Sequence, residues 1–161
     1  QKTAYEIPKR DWSSDVCSSD LIPTLPKLGL SPWVAGGLLS KRRVALVTSA
    51  GVHLRGDRPF GAGAAANDYR VIAGDAKSSD IVMSQLSVNF DRTGFQQDVN
   101  VVFPLERLRE LAREGVIGSV ADYHYAFMGA GSPITRMEAK GREVARLLKQ
   151  DRVDAVLLTP V

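Results

Sequence analysis

The chain has 161 residues, 21 Lys and Arg against 18 Asp and Glu, and 44% hydrophobic side chains, which suits about one globular domain with a single core. Its Arg residues are scattered instead of forming a basic stripe with interleaved aromatics, which argues against nucleic acid as a partner. No apolar run approaches the roughly 18 residues of a membrane span, so no membrane association is expected.

In chain order, the strings Gln1–Ile7 and Asp11–Leu21 resemble a translated sequencing adapter, so residues 1–21 read as a disordered artefact and are set aside. The remaining 140 residues carry 18 Lys and Arg against 14 Asp and Glu, and no cysteine, because Cys17 lies in the excluded stretch. They offer no disulfide, zinc cluster or cysteine nucleophile. No signal peptide is expected before the domain, and the expected compartment is the cytoplasm. Residues 22–42, with Pro23, Pro26, Pro32, Gly36 and Gly37, predict an extended lead-in, since each Pro removes a donor and restrains its predecessor.

Arg43–Ser49 is a short apolar run ending in small residues, the pattern of a buried parallel strand. A long polar connection from Ala50 to Asn67 follows, of a length that is usually functional or mobile. Tyr69–Ala73 and Ile81–Ser84 predict two further strands. Pro104–Glu114 predicts a helix with Leu105, Leu108, Leu111 and Ala112 on one side and Gly115 closing it. Val116–Val120 and Tyr123–Met128 are weaker strand candidates. Thr135–Gln150 predicts a second helix whose apolar side is Met137, Val144, Leu147 and Leu148, and Val153–Leu158 a last strand. Strands alternating with helices point to an α/β fold with a parallel sheet, a Rossmann- or flavodoxin-like layered domain. The sequence stops at Val161 with no helix behind the last strand. The expectation is therefore an incomplete domain over residues 43–161, truncated at its C-terminus and exposing apolar surface on that strand.

Three segments carry candidate chemistry. Thr48–Phe60 holds His53, Asp57 and Arg58 beside Arg55 at a strand end, where a guanidinium suits a carboxylate and an imidazole titrates near neutrality. The competing reading pairs Asp57 with Arg55 or Arg58 to pin the loop. Ser87–Asn100 crowds Asp91, Arg92, Gln96 and Asp98 around Gly94, either as pocket lining or as a turn in which the carboxylates bind backbone amides. His124 lies in Tyr123-His124-Tyr125 and reads either as a proton-transfer group or as a satisfied core histidine. The tract Gly61–Ala66 fits Gly-x-Gly-x-x-Ala but follows its strand by more than ten residues, so a spacer is favoured over a nucleotide site.

Gly51-Val52-His53 with Gly56–Phe60, then Phe90–Pro104, then Gly115–Val120, resemble the selenoprotein B family of glycine/sarcosine/betaine reductases and its D-proline reductase relatives. The resemblance implies reductive cleavage of a C–N bond in a small amino acid or betaine. The nucleophile would be a selenocysteine or cysteine placed just after a strand like Asp154–Val161, beyond this chain, and no other cofactor is expected. Electrons would come from thiols through a thioredoxin-like donor, with other reductase subunits as partners. On this reading His53 or His124 supplies a proton and Arg58, Asp57, Asp91, Arg92, Gln96 and Asp98 line the substrate site. The alternative is a non-catalytic α/β module that binds a small anionic metabolite.

Overall fold

The computed structural model describes residues 34–61, 67–87, 90–130 and 134–161. The adapter-like segment, most of the lead-in, all of the Gly61–Ala66 tract except its first glycine, and the break at residues 131–133 lie outside them. The described part of the lead-in contains one short 3-10 turn, Leu39–Lys41.

The main sheet is built on β1 (Arg43–Thr48). One edge of β1 pairs in parallel first with β5 (Ser119–Val120) and then with β6 (Tyr123–Phe127), while the other pairs in parallel with β7 (Ala155–Thr159) from Val44↔Ala155 to Thr48↔Thr159. β3 (Tyr69–Ala73) lies on the far side of β6 and runs antiparallel to it, so the sheet is mixed where the sequence suggested a parallel one. No α-helix separates β1 from β3 among the described residues. A parallel return needs a crossover of a dozen or more residues; here the connection instead contains β2 (Val52–Leu54). β2 forms a separate antiparallel pair with β4 (Ile81–Met83) and replaces part of the expected Ala50–Asn67 loop.

Strand alternation divides the apolar residues between two layers. Val44, Leu46, Ile72 and Ala126 face the larger core, with Phe103, Leu105, Leu108 and the inward side of the β2–β4 pair. Val47, Tyr125 and Phe127 face α3 (Ile134–Gln150) through Met137, Val144, Leu147 and Leu148, the four positions that the helical spacing picks out. Each large aliphatic or aromatic side chain so buried contributes about 1.5–3 kcal/mol.

α2 (Leu105–Arg113) covers the larger core, and its first turn receives the Asn100 side chain, whose Oδ1 accepts from Glu106 N–H at 3.2 Å. Gly115, at φ 72°, ends the helix: Gly115 N–H bonds Ala112 O at 3.2 Å and Val116 N–H bonds Leu111 O at 2.9 Å. α3 ends the same way with Arg152 at φ 55°, a left-handed position that disfavours a side chain. β7 carries no strand on its outer edge among the described residues, and Leu158 on it is 66% exposed. No helix among the described residues is long and apolar enough to cross a membrane.

Candidate functional site

The carboxyl ends of β1, β6 and β7 converge, and the residues there are small. Ser49 is the node. Its N–H reaches Thr159 O at 3.3 Å, its carbonyl accepts from Gly129 N–H at 2.8 Å and from Gln85 Nε2 at 3.4 Å, and its hydroxyl accepts from Val161 N–H at 2.9 Å. Thr48 and Thr159 sit just below, both with hydroxyls about the Val102 carbonyl, at 3.0 and 3.1 Å.

Two glycines permit this approach. A methyl on Gly129 would lie 3.0 Å from both the Ser49 and Val161 carbonyl oxygens, and Gly51 takes φ 69° where a methyl would meet Met128 Cε at 2.7 Å. The result is an open cleft of about 190 Å³ lined by Gln85, Ser87, Phe90, Gly129, Ala130 and Val161. Arg92 stands at its rim, exposed, with Nη2 donating to Gln85 O at 2.7 Å and to Ser87 O at 3.4 Å. Open α/β sheets place ligands in the crevice beyond the carboxyl ends of strands, which is where this cleft lies.

The residues singled out from sequence are not gathered in one place. Arg92 bonds the main chain of two residues that line the cleft. Asp91 accepts from Thr93 N–H at 2.8 Å and Asp98 from Asn100 N–H at 2.9 Å; these amide bonds hold both carboxyls below the usual range and place both residues at the turns around α1 (Thr93–Gln97). Gln96 lies on α1 and lines a different hollow, of about 320 Å³, with Ser78, Phe95 and Asp98. Asp57 and Arg58 occupy an exposed turn after β2; the Arg58 carbonyl accepts from Arg70 Nε at 2.7 Å, and the Arg70 guanidinium lies 4.4 Å over the Phe60 ring.

Of the two histidines, His53 is buried on β2. Val52 and Leu54 pack into the core, so alternation turns His53 to the other face of the β2–β4 pair, against Phe60. Its Nδ1 donates to Leu54 O at 2.7 Å, and Nε2 shares a hydrogen bond with the Ser84 hydroxyl at 2.7 Å. His124 is fully buried on β6 with its ring edge-on to Phe103. Its Nδ1 accepts from Leu46 N–H at 2.9 Å, and Nε2 has no partner among the described residues. Burial, reinforced by the Arg109 guanidinium, pushes its pKa down to about 4, so it stays neutral.

Ser49 and Gln85 do not stand out in the sequence, because their side chains bond main-chain groups that no residue pattern announces. The usable signal was positional: Ser49 directly follows the first strand, where this fold class puts its chemistry. No group of three or more potential metal ligands occurs among the described residues.

The sequence matches the family described as glycine/sarcosine/betaine reductase selenoprotein B over residues 22–161. The chain belongs to that family. It is 42% identical over 122 residues to D-proline reductase subunit gamma of Acetoanaerobium sticklandii, a match covering 75% of this chain and 49% of the relative. It is 38% identical over 123 residues to glycine reductase complex component B subunit gamma of Symbiobacterium thermophilum, covering 75% and 29%. A betaine reductase complex component B subunit beta from Peptoclostridium acidaminophilum is 32% identical over 123 residues, covering 75% and 28%. The chain therefore spans about half the length of the first of these reductase subunits and under a third of the others. No solved structure matches it significantly.

Proposed function

We propose that this chain forms the substrate-binding part of a reductase subunit that cleaves a C–N bond in a small amino acid or betaine. The observation that carries the reading is the coincidence of family membership with the cleft where β1, β6 and β7 end. The nucleophile would be a selenocysteine or cysteine placed just after a strand like Asp154–Val161, outside this chain. The lengths of the relatives support such a continuation, with the sheet as the core of a Rossmann- or flavodoxin-like layered domain.

In the reaction the ionised selenolate or thiolate forms a bond to the substrate carbon, and the C–N electron pair leaves with nitrogen, which takes a proton. A nucleophile of lowered pKa suits this step because its anion is present near neutrality. Two electrons from a dithiol, delivered by a thioredoxin-like partner, then release the carbon fragment and regenerate the nucleophile while the dithiol becomes a disulfide. Arg92 is the better placed of the two arginines for the substrate carboxylate, since it borders the cleft and Arg58 stands on the turn after β2. Of the two histidine candidates for the proton, His53 hydrogen-bonds Ser84, the residue before Gln85, and His124 is held neutral in the core.

The test is turnover by the full-length gene product with its partner subunits and a dithiol, offered glycine, sarcosine, betaine and D-proline in turn. At least one substrate should release its amine product or ring-opened acid, and serine in place of the selenocysteine or cysteine that follows the last strand should abolish this. Unchanged turnover in that variant refutes the reading.

A further inference from the structure

The residues that line the cleft come from three stretches of sequence, 84–90, 127–135 and 155–161, and none of these contains an Asp or Glu. Phe90 is the one aromatic side chain lining it among the described residues; it is half-buried and also packs against the larger core. Gln85 is buried with both ends of its amide engaged: Nε2 donates to Ser49 O at 3.4 Å and Oε1 accepts from Ser87 N–H at 3.2 Å. Arg92, two residues beyond Phe90, is tied to the lining by its bonds to the Gln85 and Ser87 carbonyls. An aromatic ring and a guanidinium thus border an uncharged lining.

Those features sort small zwitterions by their nitrogen. A primary ammonium brings three N–H donors, a secondary one two and a quaternary one none, and a donor buried without an acceptor bears its full desolvation cost. Each carbon in place of a hydrogen removes a donor and adds apolar surface that Phe90 and Ala130 can cover. The positive charge remains, and an aromatic ring attracts it without any hydrogen bond.

We infer that the cleft selects substrates whose nitrogen carries a carbon substituent beyond the α-carbon, and that Phe90 sets this preference. The alkylated ammonium lies against the Phe90 ring and the carboxylate is directed to the Arg92 guanidinium, an arrangement that rests on the reading of this cleft as the substrate site. Glycine, with three donors and no substituent, is the poorest fit; sarcosine, betaine and D-proline all fit better.

The experiment measures kcat/KM for these four compounds in the full-length gene product with its partner subunits, as wild type, Phe90→Leu and Phe90→Tyr, with the thermal midpoint of each. Wild type should prefer an N-alkylated compound to glycine. Phe90→Leu, which keeps an apolar side chain against the core, should lower kcat/KM for the preferred compound by ~2–30-fold and for glycine by less. Phe90→Tyr, which keeps the ring, should restore most of the loss. A wild type that prefers glycine, an unimpaired Phe90→Leu, an equal loss for glycine and the preferred compound, or no rescue by tyrosine overturns the inference and leaves the reductase reading standing. Wild type that turns over none of the four overturns both.

Discussion

The two ends of one sheet are built from opposite materials. At the amino end Arg43 is enclosed by charge: its guanidinium pairs with Asp151 and, at 2.9 Å, with Asp122, and donates to Val120 O at 3.1 Å, while Asp154 Oδ1 accepts from Arg43 N–H at 3.0 Å. Asp151 Oδ2 also accepts from Asp122 N–H at 2.8 Å. Burial pushes the Asp151 carboxyl up, but Arg43 and the amides of Asp122 and Tyr123 more than offset it, leaving it below the ordinary range. At the carboxyl end there is no such cluster among the described residues; small residues and main-chain bonds surround an open cleft, and Arg92 bonds two of its lining residues. The densest charge in this fold therefore marks a joint that ties α3 and β7 to β1, and the quieter end is where a ligand fits.

The largest expected effect comes from breaking the joint. Arg43→Leu leaves Asp151, nine-tenths buried, without its cation and should cost about 3 kcal/mol or more in urea unfolding. In the wild type this contribution is present above the unfolded carboxyl pKa of about 3.9 and is lost as pH falls through the lower folded value. If Arg43→Leu is as stable as wild type, the amino end is not the structural joint described.

Between the two ends, His124 makes the core acid-sensitive. The unfolded imidazole takes up a proton near pH 6.5 and the folded one only near pH 4, so stability is full above pH 6.5 and falls between those values by up to roughly 1.4 kcal/mol per pH unit. His124→Leu removes the acceptor for Leu46 N–H, at a cost of about 1–3 kcal/mol, and removes the titration as well. The variant should be weaker than wild type at pH 7.5 and lose that deficit at pH 4; a deficit that stays constant would show that the histidine is not held neutral.

These effects show what the sequence made legible. Apolar spacing placed α2, α3 and six of the seven strands, because periodic segments carry their own burial pattern; Gly115 reads as a helix stop and is one. β2 was missed since three residues show no periodicity, and the antiparallel course of β3 depends on a partner 54 residues away in sequence, from Tyr69 to Tyr123 at the nearest strand starts. The candidate site was legible as a place and not as a residue set. His53, Asp57 and Arg58 are neighbours in sequence, but strand alternation and the turn after β2 carry them away from the cleft, while Ser49 and Gln85 come together only through the fold.

Smaller perturbations sharpen the same contrast. At the carboxyl end, Gly129→Ala forces the Ser49 and Val161 carbonyls apart and should cost about 1–3 kcal/mol, while lowering turnover of the full-length protein more than its stability. A fully active Gly129→Ala would show that the close approach of β6 is not needed. At the amino end, Arg152→Gly relieves the left-handed residue after α3 and should stabilise by about 1 kcal/mol in the same urea titration, with turnover unchanged.

The most direct test of the account follows backbone amide shifts in the isotopically labelled protein as glycine, sarcosine, betaine and D-proline are titrated in turn. The account predicts that perturbations for the bound substrate gather at Ser49, Gln85, Arg92 and Gly129 and leave Arg43, Asp122 and Asp151 unmoved. Perturbations centred on Arg43, Asp122 and Asp151, or none with any of the four compounds, would contradict it.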